Sequence, residues 1–191
     1  MKKKIGTQTY HFPSCPAVVS YANAVGKKEG AGPLADTFDL IFTDTRMGQK
    51  TWEKAESEFQ KAAISKALEK GNLDVSALDC ILAGDLLNQC IGSSFSLRNM
   101  NIPHLGLYGA CSTMAESLLL AGLTVDGGYA DRVAAMTSSH FASSERQYRF
   151  PLGYGGQRTP TAQWTVTGAG AALVCSEGQG PRLLCGTVGT V

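Results

Sequence analysis

Apolar and polar residues follow two different periods along this chain. Between Trp52 and Lys70, the residues Trp52, Ala55, Phe59, Ala62, Ala63 and Ala67 recur at three- and four-residue spacings with Glu and Lys between them, which predicts an amphipathic helix over 52–70. Gly71-Asn72 supplies its stop. Cys80–Gly84 is a continuous apolar run between Asp79 and Asp85, as a strand buried on both faces requires. Asp85–Asn99 reads as a loop and a helix, and Leu105–Ala110 as a second short apolar segment. From Thr113 to Leu123, Met114, Leu118 and Ala121 share a helical face, Thr113 and Glu116 stand at capping-box spacing, and Gly127-Gly128 closes the helix. Arg132–Thr137 is a third strand-like run. No period organises residues 142–163, where Pro151, Gly153, Gly155, Gly156 and Pro160 predict a long loop. Val166–Cys175 and Leu183–Val191 read as two strands joined through Gly178-Gln179-Gly180-Pro181. Strands alternating with helices predict an α/β layered fold with a largely parallel sheet.

Composition narrows the class. With 191 residues, 43% of them hydrophobic and 17% charged, the chain can bury one full core and lacks the signature of disorder. A net charge of +1 provides no electrostatic drive toward nucleic acid or an anionic membrane. The 22 glycines show no G-X-Y period and signal tight turns. No apolar run, Leu118–Leu123 included, comes near the roughly 18 residues of a membrane span. Lys2-Lys3-Lys4 opens no export signal, because Thr7, Gln8, Thr9 and His11 interrupt the segment where an apolar region should follow. The six cysteines form no CxxC pair and do not cluster with the three histidines, so neither zinc nor another bound metal or cofactor is expected. Several lie in apolar runs, as reduced thiols of an intracellular protein do.

Chemistry concentrates where strands end. In Leu105-Gly-Leu-Tyr-Gly-Ala-Cys-Ser-Thr113 a buried strand runs into a small-residue turn, and a helix follows. Cys111 on that turn faces the free N–H groups and positive end of the helix, which activate a thiol and attract an anion. The same residues also describe a small thiol packed under a helix. Thr137-Ser-Ser-His140 follows the third strand, where α/β folds keep their ligand sites. Ser112, Ser138 and Ser139 would bring their hydroxyls to one sheet edge, and His140 reads either as a site residue or as a hydrogen-bonded structural one. Asp85 could be a site residue or a helix cap. Arg146, Arg149 and Arg158, with Tyr148 and Tyr154 between them, form a basic set that is an anion site or a solvated loop. Gly168-Ala-Gly170 opens like a dinucleotide fingerprint but lacks the third glycine and the following helix.

Taken together the pieces resemble the thiolase-like fold of condensing enzymes, and within it the stage V sporulation protein AD family. The resemblance rests on Gly32-Pro-Leu34, Gln49-Lys-Thr-Trp-Glu53, Leu82-Ala-Gly-Asp-Leu-Leu-Asn-Gln89, Gly109-Ala-Cys-Ser-Thr113 with Met114 and Glu116-Ser117, Thr137-Ser-Ser-His140, Glu145-Arg-Gln147, Tyr154-Gly-Gly-Gln157 and the Gly-rich strand Thr167–Val174, spread over nearly the whole chain. It implies an α/β/α thiolase-like layered fold. Family members are nearly twice as long, so residues 1–191 are expected to form a single N-terminal lobe of a two-lobed architecture, truncated at the C-terminus. The missing lobe would supply the other wall of the pocket and, in true condensing enzymes, the histidine that works with the Cys.

The family's role, carried over by resemblance, is non-catalytic binding of dipicolinic acid (pyridine-2,6-dicarboxylate), largely as its calcium chelate. That role belongs to uptake into bacterial spores during sporulation and to spore germination. Cys111 matches the family's retained cysteine, and Ser112, Ser138, Ser139 and His140 match positions shaping the same pocket. The resemblance also implies peripheral association with the spore inner membrane, partners from the same sporulation operon, and a homo-oligomer. The alternative is a condensing acyltransferase that uses Cys111 as nucleophile.

Overall fold

The computed structural model describes residues 3–148 and 159–190, with side chains 145–148 outside the description. Thirteen elements follow one another: β1 (Lys4–Ile5), β2 (Thr9–His11), β3 (Ala17–Gly26), β4 (Leu40–Phe42), α1 (Trp52–Gly71), β5 (Cys80–Gly84), α2 (Ile91–Leu97), β6 (His104–Leu107), α3 (Thr113–Asp126), β7 (Arg132–Ser139), α4 (Phe141–Tyr148), β8 (Gly168–Cys175) and β9 (Cys185–Thr187). A six-stranded sheet in the order β4-β3-β8-β7-β5-β6 forms the centre, and β1-β2-β9 make a small antiparallel sheet beside it. In the large sheet β8 runs antiparallel to both of its neighbours, while the other pairings are parallel. Five strands therefore point one way, and the expectation of a largely parallel α/β fold holds.

Each helix forms for a local reason and is kept by the sheet. The Thr51 hydroxyl caps α1 by accepting from the Lys54 N–H at 3.3 Å. The α1 stop is Asn72, which takes the left-handed conformation at φ 49°. Gly71 is still helical, and its bare Cα allows Ser20 of β3 to approach. Ala55, Phe59, Ala63, Ile64 and Ala67 of α1 are fully buried against one face of the sheet, with Ala134 and Met136 of β7. Ala121 and Val125 of α3 pack on the other face, with Val133 and Ala135 of β7. Strand alternation thus sends even-numbered β7 side chains toward α1 and odd-numbered ones toward α3. Burying a side chain the size of Phe59 or Ile64 is worth roughly 1.5–3 kcal/mol.

Three expectations change, and one region gains elements. The Thr113–Glu116 capping box is not formed: the Thr113 hydroxyl donates to the Ala110 carbonyl at 2.8 Å, because a 3-10 turn at Ala110–Ser112 already leads into α3. Part of the expected loop 142–163 is α4. The last two strands do not pair with each other. β8 enters the large sheet, while β9 joins β2, with Phe12 N–H donating to the Leu184 carbonyl at 2.9 Å. The first fifty residues, where no element was assigned, supply β1 to β4. Arg149, Arg158 and Tyr154 lie outside the described residues, as do the side chains of Arg146 and Tyr148.

Candidate functional site

Parallel register places Gly84 of β5 beside Leu107 of β6 and Thr137 of β7, so the three strands end on one line. The connections leaving that line gather at the sheet's C-terminal edge, the usual ligand edge of an open α/β sheet. Gly84 lets them converge. A Cβ there would collide with the Leu107 carbonyl oxygen and stand 2.6 Å from Thr113 Cγ2. After β6 the chain turns through Ala110, whose φ of 47° lies in the left-handed region, and Cys111 is exposed on the turn. Ser112 N–H donates to the Gly109 carbonyl at 3.0 Å, fixing the turn ahead of α3.

Cys111 borders a cavity of about 530 Å³. Met114 of α3, Thr137–Ser139 of β7, Gly168–Gly170 of β8 and Asn23 of β3 form much of its wall, and residues 163–166 also line it. A Cβ added to Gly170 would meet nothing within 4 Å, so this glycine leaves space in the cavity. Cys111 is the one titratable side chain among the described residues of the lining.

Of the five residues expected at the site, the structure brings Cys111, Ser138 and Ser139 to this cavity. The hydroxyls of the two serines are already engaged. Ser139 Oγ donates to the Val166 carbonyl at 2.6 Å. Ser138 points to the opposite sheet face, where its Oγ donates to Glu56 Oε1 and accepts from Gln60 Nε2, each at 2.9 Å. The expectation that neighbouring serines present their hydroxyls together overlooked the two-residue period of a strand. Ser112 follows Cys111 on a tight turn and so points elsewhere. Its Oγ donates to the Gly109 carbonyl at 2.7 Å, and it borders a separate cavity with Phe12 and Leu119.

His140 is 1% exposed and borders a third cavity with Trp52 and Trp164. Its Nε2 donates to the Thr45 carbonyl at 2.8 Å, and its Nδ1 accepts from the Ala142 N–H at 3.2 Å, which defines the neutral tautomer. Burial holds its pKa below the usual histidine value, outweighing the Thr45 hydrogen bond.

Asp85 serves as a cap. Its Oδ2 accepts from Ser93 N–H at 2.7 Å and Ser93 Oγ at 2.6 Å, satisfying the first turn of α2, whose own N-cap Cys90 makes no side-chain cap bond. Gly168-Ala-Gly170 builds a strand and a cavity wall, not a dinucleotide turn. The sequence reading missed Asn23, Met114 and residues 163–166. It also missed Glu56 and Gln60, polar residues on the apolar face of α1 at i and i+4. That break in the stripe was the available signal. The described residues hold no group of three His, Cys, Asp or Glu side chains able to bind a metal, and no helix long and apolar enough to cross a membrane.

Comparison with known proteins adds two findings. The family model of stage V sporulation protein AD matches residues 6–191. The chain is 43% identical over 189 residues to stage V sporulation protein AD of Bacillus subtilis (strain 168), covering 99% of this chain and 56% of that protein, so it spans about half the length of this curated relative. Among solved structures it resembles 3-oxoacyl-[acyl-carrier-protein] synthase III of Aquifex aeolicus, with a TM-score of 0.56 at 15% identity over 84% of this chain and 53% of that one. A variant of Xanthomonas campestris OleA bound with cerulenin gives a TM-score of 0.56 at 15% identity, covering 86% of this chain and 57% of that one. At such identities the likeness shows the fold alone, which is thiolase-like.

Proposed function

Since this chain belongs to the stage V sporulation protein AD family, we propose that it is a non-catalytic sporulation component that binds dipicolinic acid in the cavity beside Cys111. The observation that carries the reading is that cavity. It stands at the C-terminal edge of the sheet, its wall is thinned by Gly170, and its described lining holds no Lys, Arg, Asp or Glu. A one-to-one calcium chelate of dipicolinate is electrically neutral, and a lining without fixed charge suits it, since burying an uncompensated charge is costly. The ligand and water would then complete the calcium coordination. In this reading the protein serves dipicolinate uptake into the spore and later germination, at the inner membrane, with partners from the same operon and as a homo-oligomer.

Calorimetric titration with calcium dipicolinate tests the reading. Cys111→Trp, which fills the cavity mouth, should abolish binding, and Cys111→Ala should weaken it only slightly, once circular dichroism has shown both variants folded. Unchanged affinity in Cys111→Trp would place the ligand elsewhere.

A second reading is acyl transfer with Cys111 as nucleophile. It is favoured by the exposed thiol at the start of α3 on a fold shared with a 3-oxoacyl synthase. It requires a base at the thiol, and His140 is committed to Thr45 and Ala142 on the other side of β7. Incubation with acyl-CoA followed by mass spectrometry separates the readings: a thioester that vanishes in Cys111→Ala would establish the second.

A further inference from the structure

Behind the cavity wall, on the α1 face of the sheet, lies a carboxyl group that is not part of the cavity lining. Glu56 is fully buried. Its Oε1 accepts from Ser138 Oγ at 2.9 Å, and its Oε2 accepts from Ser143 Oγ of α4 at 2.8 Å. Ser143 Oγ also stands 3.1 Å from the His140 carbonyl oxygen. That second acceptor gives the cluster two complete hydrogen-bond arrangements. With Glu56 ionised, Ser143 donates to Oε2. With Glu56 protonated on Oε2, the carboxyl proton goes to Ser143 Oγ and Ser143 donates to the His140 carbonyl. Neither state leaves a buried donor unpaired.

The groups facing Glu56 favour the proton. Asp85 follows β5, and Glu53 lies one turn back on α1; both are acidic. His140, between β7 and α4, is held neutral by burial. Through Gln60, α2 presents only the hydroxyls of Ser93 and Ser96. Glu56 makes no ion pair among the described residues. Burial first and the charge of Asp85 second lift its carboxyl to about 7.

Ser138 belongs both to the cavity wall and to the shell of Glu56. A ligand carboxylate against that wall is therefore separated from Glu56 by the width of Ser138, across a medium of low dielectric, where like charges still repel. We infer that Glu56 is a proton-binding site linked to the cavity: entry of a free dicarboxylate dianion draws one proton from solvent onto Glu56, and entry of the neutral calcium chelate does not. This rests on the cavity being the dicarboxylate site. By reciprocity, the dianion binds more weakly as pH rises, by up to about tenfold per pH unit above pH 7, while chelate binding stays level.

The test is calorimetry of the purified protein at about pH 8, where Glu56 is mostly ionised, in two buffers of different ionisation enthalpy. The expected result is proton uptake with disodium dipicolinate in calcium-free buffer, none with calcium dipicolinate, and none with either ligand in Glu56→Gln, which still binds. An infrared readout on the unaltered protein covers the case of a misfolded variant: dipicolinate should enlarge the band of a protonated carboxylic acid. Binding with the same proton uptake in Glu56→Gln, or with no change in that band, would overturn this inference and leave the ligand reading standing. Absence of binding by either ligand form would overturn both.

Discussion

Ala110 holds a φ of 47° directly ahead of Cys111. A side chain in the left-handed region costs about 1 kcal/mol, so the turn that presents the thiol is held by its surroundings. Ala110→Gly should raise stability by roughly 0.5–1 kcal/mol in urea denaturation while loosening the turn. Glu56 gives the clearest pH signature. Its folded carboxyl titrates at about 7 against an ordinary 4.5. The folded protein therefore keeps a proton that the unfolded chain releases, and this contribution is complete below the unfolded value. It is lost as pH rises through about 7, amounting to roughly 3 kcal/mol in full. His140 and His104 act with the opposite sign. Burial depresses both, so their contribution is lost as pH falls below the ordinary histidine value. Glu56→Gln should remove the part of the decline that falls between about pH 4.5 and 7, and leave the slopes below and above that window unchanged, in thermal unfolding followed across pH.

At the scale of elements, β5, β6 and α3 meet over one bare Cα. Gly84→Ala forces the Leu107 carbonyl and the Thr113 methyl aside and should cost several kcal/mol, with disturbance centred on the Cys111 turn. Proteolysis or hydrogen exchange across residues 105–115 would show it, and a wild-type profile would mean that the strand ends can spread. β8 offers the converse case. Gly170→Val places a side chain where a Cβ meets no atom, on a strand position that favours β-branched residues. The fold should keep or gain stability, and calcium dipicolinate binding should fall sharply because the cavity is filled. Unaltered binding by this variant would remove β8 from the site.

At the scale of the whole molecule, the large sheet ends at β6, which pairs only with β5 among the described residues. Leu105 on that strand is 62% exposed and Tyr108 just beyond it 53%, with Ile91 and Phe95 of α2 also exposed. An unpaired edge bordered by exposed apolar side chains invites association. Self-association at micromolar concentration is the expected result of sedimentation, weakened by Leu105→Lys. A monomer showing a sharp thermal transition would contradict it.

The sequence by itself determined the local structure and the family. Helix α1, strand β5 and the strand–Cys–helix turn were legible because their signals, a three- to four-residue period, an unbroken apolar run and small residues before a helical period, act within a few positions. The family strings were legible because they span most of the chain. Tertiary structure decided what depends on pairing and parity. Only the sheet shows that β8 runs backwards, that β9 joins β2, and that Ser138 and Ser139 face opposite sides of β7. Nor could spacing reveal that Glu56 would meet Ser138, 82 residues away, across the core. The hydrogen bonds that commit the Ser138 and Ser139 hydroxyls, and the cavity left by Gly170, arise between segments distant in sequence. Their partners are set by packing, which no local pattern encodes.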